Sequence, residues 1–338
     1  MLNKIGLGDY NVNQRVTESR PRRGRWPSPH TIERPKPTMT QAPQFESLET
    51  GLLVRAPAKL NLSLLIAGKR PDGFHELETV MAKVDWFDEI LIEPGDQQGI
   101  ELRCEGPHWA PAGPDNLVYR AAEAAFSACD RAGAVHLTLT KNIPAGSGLG
   151  GASSDAAATL MGLNRYFDLN LSPTRLRGIA AGLGSDVAFF LGGPLAFCTG
   201  RGEKTAELPG NFDFTAVLIL PDINVSTVEV YKKYTHDPQQ YRRWSRQANA
   251  HLEKNRIDLV ARMCANMLEA SCYHVCKELG ALKEVVEALG VGPVCLSGSG
   301  STLFFVVDDT DSQRLRLLQN LIASKTGCRS IVARNNRW

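Results

Sequence analysis

The densest concentration of chemistry in the sequence is the run Pro144-Ala145-Gly146-Ser147-Gly148-Leu149-Gly150-Gly151-Ala152-Ser153-Ser154. Glycines let a backbone take positive φ and bring its N–H groups close to an anion. The run follows Val135 to Lys141, an alternating stretch that reads as a strand. It precedes an Ala-rich stretch, about Ser153 to Phe167, that reads as a helix. A helix start presents unpaired N–H groups and the positive end of its dipole, so a glycine loop entering one is suited to phosphate. Ser153 and Ser154 add hydroxyls for phosphate or for a metal ion carried on it. Two charged residues stand out elsewhere. Lys59 interrupts an apolar strand, where a lysine is costly unless paired, although an edge position would let it reach water. Asp186 falls between Gly182-Leu-Gly-Ser185 and the apolar run Val187 to Leu191, which places its carboxylate at the end of an element. Helix capping is the plainer use for such an aspartate.

Three nucleotide motifs compete for the glycine run. It lacks Gly-Lys-Ser/Thr, so it is not a Walker loop. Gly146, Gly148 and Gly151 satisfy the dinucleotide spacing, which leaves a dinucleotide-dependent oxidoreductase open. That motif wants an acidic residue closing a strand about 20 residues on, whereas Asp168 falls in a loop before Ser172-Pro173. No Val-Ala-Ile-Lys strand or His-Arg-Asp loop follows, which excludes the protein-kinase arrangement.

The elements that must position these residues are spread over a chain of 338 residues, 43% hydrophobic and 22% charged, long enough for about two domains. A net charge of +2 argues against nucleic acid or a membrane surface as the main partner, and no apolar run is long enough to span a bilayer. Residues 1–50 hold six of the 19 prolines and the basic cluster Arg20, Arg22, Arg23 and Arg25. That composition predicts a disordered extension, with Met39 as an alternative start; its acidic residues argue against a transit peptide. Beyond it, Leu53 to Ile66 reads as one or two strands interrupted at Pro57. Val84 to Glu93 reads as a strand and Leu117 to Asp130 as a helix. Ser172-Pro173 opens another helix, serine as cap and proline at its first position. After Val217 to Leu220 come a helix near Ile257 to Leu279, a second near Leu282 to Leu289, strands at Val294 to Leu296 and Thr302 to Val307, and a helix from Asp311 to Ser324. The eight scattered cysteines are expected to be reduced, buried thiols. Cys272, His274 and Cys276 lack the fourth ligand that structural zinc needs.

Pro144-x-Gly-x-Gly-Leu-Gly-Gly-x-Ser-Ser154 resembles the phosphate loop of the GHMP small-molecule kinases, and Ser297-Gly-Ser-Gly-Ser301 resembles that family's C-terminal motif. Further blocks fit in the family's order: Ala56 to Leu62, Gly68 to Leu77, Gly184 to Phe190, Cys198 to Glu203 and, more weakly, Asn266 to Glu269. The resemblance implies an α+β, two-domain GHMP kinase fold. It would have a ribosomal-protein-S5-domain-2-like N-terminal domain over 51–208 and a ferredoxin-like C-terminal domain over 209–338. It implies ATP and Mg²⁺, with Pro144 to Ser154 on the nucleotide and Ser153 or Ser154 open as the metal contact. By the same resemblance Lys59 and Asp186 are the catalytic pair. Asn61, two residues from Lys59 on the same strand face, joins them at a small-molecule acceptor. Gly68-Lys-Arg-Pro-Asp-Gly-Phe-His75 points to the branch of the family whose acceptor carries cytosine, with Phe74 stacking on the base and His75 bonding its edge. That branch usually has tyrosine where this chain has Phe74, and often proline where it has Ala188. The expected setting is cytoplasmic, as a monomer or homodimer. Tyr234 to Asn255 matches no motif.

Overall fold

The computed structural model describes residues 41–131, 133–209, 212–308 and 311–338; most of the expected extension, Met39 included, lies outside them. Residues 41–338 form one compact unit. Its first layer is a seven-stranded sheet built from β1 (Phe45–Ser47), β2 (Leu52–Lys69), β3 (His75–Pro94), β4 (Gly99–Glu105), β5 (Ala134–Thr140), β6 (Leu195–Gly200) and β7 (Lys204–Glu207). Composition assigned 45–47 to the disordered extension, yet this segment pairs with Leu52–Val54 as an edge strand.

β2 and β3 make one long antiparallel hairpin. The interruption expected at Pro57 does not occur. The register slips between Pro57 and Ala58, and this irregularity accommodates a residue with no N–H while the strand runs on. The far half of β3 pairs with β5 and its near half with β6. Helices α1 (Leu117–Ser127), α2 (Gly151–Tyr166), α3 (Pro173–Leu183) and the single turn α4 (Val187–Phe190) accompany this sheet. Ser172 caps α3 as its sequence suggests, accepting from the Arg175 N–H with Pro173 next in line.

The second layer is an antiparallel sheet of β8 (Thr215–Leu220), β9 (Cys295–Leu296), β10 (Leu303–Val307) and β11 (Arg329–Arg334), in the order β11-β8-β10-β9. Numbered within the sheet that order is 4-1-3-2, the ferredoxin-like arrangement expected for the C-terminal part of the chain. The accompanying helices are α5 (Thr227–Lys233), α6 (Pro238–Leu252), α7 (Ile257–Arg262), α8 (Glu269–Val275), α9 (Lys277–Glu287) and α10 (Ser312–Thr326).

A single helix expected from Ile257 to Leu279 is replaced by α7, α8 and the start of α9. Tertiary contacts override its propensity. The Asn266 side chain donates to the Leu296 and Gly298 carbonyls at 2.9 and 2.8 Å, and Asn266 forms a parallel bridge with Leu64. A disulfide joins Cys264, at φ 47°, to Cys295. This corrects the expectation that every cysteine is a free thiol; Cys104, Cys129, Cys198, Cys272, Cys276 and Cys328 are unpaired.

Apolar clusters fix these layers. Val54, Ala56, Ile90 and Ile92 pack under α1 and α2, while Ala58, Leu60 and Leu62 join Ala216, Leu218 and Phe304 of the second sheet. Burying one such leucine contributes about 2 kcal/mol. Strand alternation then leaves Lys59 and Asn61 on the opposite face from Ala58, Leu60 and Leu62.

Lys83 secures the chain after α4. It is 1% exposed and donates to the carbonyls of Phe190 at 3.1 Å and Gly192 at 2.7 Å. Burial pulls its ammonium down from 10.5 to about 8, with Glu207 opposing. A lysine whose pKa is depressed in the folded state weakens folding while charged, and that penalty lifts as pH climbs from about 8 to 10.5. Urea unfolding across this window should show the wild-type chain gaining about 3 kcal/mol relative to Lys83→Met. A constant difference between the two would contradict the account.

Candidate active site

One cleft of about 590 Å³ gathers Lys59, Asn61, Phe74, His75, Gly148, Gly150 and Asp186. The other residues of the glycine run frame it. Ala145, Gly146 and Ala152 are exposed, Pro144 and Ser153 half-buried, and Ser147, Leu149, Gly151 and Ser154 buried. Ser147 and Leu149 hold the loop's shape. The Ser147 hydroxyl donates to the Pro144 carbonyl at 2.8 Å, and the Leu149 carbonyl accepts from the Lys59 N–H at 2.9 Å.

Two glycines in the loop have specific reasons to be glycine. Gly148 has φ 80°, and a Cβ there would lie 2.3 Å from the Ser297 carbonyl oxygen; Gly150 has φ 71°, with Lys59 and Phe190 at 3.0 Å from its missing Cβ. Gly150 is also the residue before α2, so no side chain caps that 16-residue helix, and its first turn carries no acid. Amides of the first turn therefore remain open to an anion.

Lys59 is 3% exposed. Its Nζ donates to the Gly148 carbonyl at 2.8 Å and to the Asn61 Oδ1, and lies 3.9 Å from the Asp186 carboxylate. Burial lowers its pKa, with the charge of Asp186 acting in the opposite sense. Asn61 is fixed in turn, donating to Thr79 Oγ1 at 2.8 Å. Asp186 precedes α4 but makes no capping hydrogen bond, so its carboxylate is left for the cleft. Cys198 lies nearby; burial and the charge of Asp186 push its thiol up to about 12, which keeps it neutral.

A second constellation forms the outer end. Arg70 bonds Asp72 and Glu76, and its backbone N–H bonds the Phe74 carbonyl, which sets the hairpin tip. Phe74 is 52% exposed, with the Arg201 guanidinium 5.0 Å above its ring. The His75 ring lies 5.2 Å from Tyr231 and 5.5 Å from Tyr234. Burial and the charges of Lys69 and His236 hold its pKa below the ordinary value, so at pH 7 it is neutral and can both donate and accept. The Tyr234 to Asn255 segment, which matches no motif, supplies Tyr234 behind His75 and helix α6, while α5 supplies Tyr231 and this side of the cleft. Tyr241 and Ser245 on α6 donate to the Glu78 carboxylate at 2.7 and 3.0 Å.

Sequence reasoning missed several contributors. Thr227 and Ser299 share a 2.7 Å hydroxyl bond at the cleft wall, and Asp88, Lys141 and Asp155 form a buried ionic group behind the loop. The last three carried a signal. Lys141 continues the buried phase of Val135, Leu137 and Leu139, and Asp88 that of Ile90 and Ile92. A charge on an apolar phase marks a buried pair.

Among the described residues no group of three or more His, Cys, Asp or Glu converges on a metal site. What the loop offers a cation is hydroxyls. The Ser154 Oγ is buried without a partner, while the Ser153 Oγ lies 3.9 Å from where a Cβ at Gly184 would stand. Such a set suits Mg²⁺ carried on phosphate oxygens, with one serine completing its shell. The topology disfavours a dinucleotide site, because β5 and β6, the strands before and after the loop and its helices, each pair antiparallel with β3 and not with one another, so they do not form the paired parallel strands of a βαβ unit.

The sequence features of the GHMP kinases N terminal domain match residues 116–194, and those of GHMP kinases C terminal match 248–317. A 4-diphosphocytidyl-2-C-methyl-D-erythritol kinase of Clostridium botulinum is 35% identical over 256 residues, covering 76% of this chain and 91% of that protein. The protein of the same name from Citrifermentans bemidjiense is 38% identical, covering 78% and 92%. A crystal structure of 4-(cytidine 5'-diphospho)-2C-methyl-D-erythritol kinase superposes with TM-score 0.66 at 30% identity, covering 84% of this chain and 99% of the other. A homoserine kinase from Cytophaga hutchinsonii, 18% identical, shares the fold with TM-score 0.68, covering 88% and 98%.

The loop geometry separates two substitutions that look alike. A Cβ at Gly148 meets a backbone carbonyl at 2.3 Å, whereas one at Gly146 meets only the Asn224 side chain at 3.3 Å. Both positions have positive φ and so share the conformational penalty. Gly148→Ala should therefore destabilise by at least about 1 kcal/mol more than Gly146→Ala in urea unfolding. Equal losses would contradict the close approach.

Proposed function

This chain belongs to the GHMP kinase family, and from that premise we propose that it transfers the γ-phosphoryl group of ATP to the 2-hydroxyl of 4-diphosphocytidyl-2-C-methyl-D-erythritol. The reaction is a step of the non-mevalonate route to isoprenoid precursors. One observation carries the reading: the Lys59–Asp186 pair shares a cleft with Gly148 and Gly150, which lead into α2, and with the Phe74–His75 tip.

Phosphoryl transfer needs positioning and charge stabilisation more than covalent help. The loop from Pro144 to Ser154 and the first turn of α2 hold the phosphates. Asp186 takes the hydroxyl's hydrogen bond and its proton as the phosphorus–oxygen bond forms, leaving ADP. Lys59 keeps Asp186 ionised and offsets charge growing on the acceptor oxygen. Mg²⁺, with Ser153 or Ser154 in its shell, would neutralise phosphate charge. Asn61 orients the acceptor. At the outer end, cytosine stacks on Phe74 while neutral His75 bonds its edge. Phenylalanine retains the stacking face that the usual tyrosine provides and lacks only the hydroxyl.

A coupled ADP-release assay should show turnover with the diphosphocytidyl alcohol and none with mevalonate, homoserine or galactose. Release with only one of those three would move the assignment to another kinase of the family. Asp186→Asn and Lys59→Ala should each lower kcat by about 10²- to 10⁴-fold while thermal unfolding stays cooperative. Near-normal turnover in either variant sinks the pair.

The pH profile supplies another check. Lys59 acts as a cation, and its depressed pKa means the charge is lost as pH rises, before the ordinary lysine value of 10.5 is reached. The wild-type kcat should therefore fall on the alkaline side below pH 10.5, and Lys59→Arg, where it retains activity, should carry the plateau to higher pH. An alkaline limb unchanged in that variant would mean another group titrates.

A further inference from the structure

Behind the phosphate loop three charged side chains meet where the transfer reaction has no use for them. Asp88 lies on β3, Lys141 just past β5, and Asp155 early in α2. Each side chain is at most 3% exposed. The Lys141 ammonium bonds the Asp155 Oδ2 at 2.8 Å and the Asp88 Oδ2. The other Asp88 oxygen accepts the backbone N–H groups of Asn142 at 2.6 Å and Ile143 at 2.8 Å. Gly151, the first residue of α2, sits directly on this group. A Cβ there would stand 2.9 Å from the Lys141 Nζ and 3.3 Å from the Asp88 carboxylate.

Both ends of the loop are thus tied to one point. Asp88 grips the two residues before Pro144, and Lys141 reaches across to the helix that the loop enters. A buried ammonium with two carboxylate partners is stiff, because parting from either leaves a charge without compensation in a medium that cannot solvate it. The distance from strand end to helix start is therefore set by side chains rather than by the glycine loop, which has little stiffness of its own.

We infer that Lys141 is a positioning residue for the nucleotide, holding the amide end of α2 at the height the phosphates require. The inference rests on the kinase reading above. It touches no acceptor-binding residue, so its loss acts on one substrate alone. Positioning by rigid supports of this kind is what keeps binding groups within a fraction of an ångström of their working places.

The test compares the wild-type chain with Lys141→Met and with the double variant Lys141→Met/Asp155→Asn. The double variant removes one positive and one negative charge and leaves Asp88 its two backbone donors, so it carries one buried uncompensated carboxylate where the single variant carries two and is the better folded of the pair. KM for ATP and for the diphosphocytidyl alcohol are measured separately, with binding of a fluorescent ATP analogue alongside. The expected result is a KM for ATP raised at least tenfold, a matching loss of analogue affinity, and a KM for the alcohol within twofold of wild type. A general loosening of the fold would lower the active fraction and the melting temperature without separating the two KM values. Equal changes in both KM values, or an unchanged KM for ATP in a folded double variant, overturns the inference and leaves the kinase assignment standing. Absence of ATP turnover in the wild type overturns both.

Discussion

The carbonyl oxygen of Gly148 has two lone pairs, and the architecture uses both. One accepts the Lys59 ammonium at 2.8 Å and the other the Ser297 hydroxyl at 3.0 Å. Through this one atom the phosphate loop, the central hairpin and the second sheet are held in a common frame. The arrangement is possible because residue 148 has no side chain to keep the 297–300 backbone away. Together with Asn61 and Asp186 it also offsets the cost of burying the Lys59 amine. Asp186 completes the set from the start of α4, and Lys83 fixes the end of that same turn.

The second sheet does more than cover the first. Asn266 leaves the helical path in order to clamp the Leu296 and Gly298 carbonyls, and the Cys264–Cys295 disulfide ties the same two segments beside them. These links determine where Ser297 and Ser299 stand, and Ser299 in turn meets Thr227 at the cleft. This part of the cleft wall is thereby assembled from segments far apart in sequence.

β2, the second half of β3, β5, α1, α2 and α3 were legible from alternation, caps and turn residues, whereas β4, β6, β7, α5 and α6 were not, and the residues gathered in the cleft came mainly from the family resemblance. Lys59 and Asn61 share a face because strands alternate, and Asp186 emerges where an apolar run begins. What escaped depends on partners remote in sequence. Nothing local in Ile257 to Leu279 announces a break, since Asn266 leaves the helix for carbonyls about 30 positions away. Pro57 looked like a strand end because a register slip is a property of the pair of strands. The pairing of Cys264 with Cys295 is likewise invisible in spacing alone. Asp88, Lys141 and Asp155 were within reach, each a charge standing where its periodic neighbours are buried; read singly they looked like ordinary polar residues.

Phe74 and His75 occupy the tip of the β2–β3 hairpin, whose turn is stabilised by Arg70, Asp72 and Glu76 rather than by the sheet interior. On the proposed function, selectivity for the alcohol and competence in phosphoryl transfer would reside in parts that can change independently. A few replacements at the hairpin tip and along α5 could exchange one acceptor for another while the glycine loop and its supports stayed intact. A scaffold partitioned in this way would lend itself to descent with altered specificity.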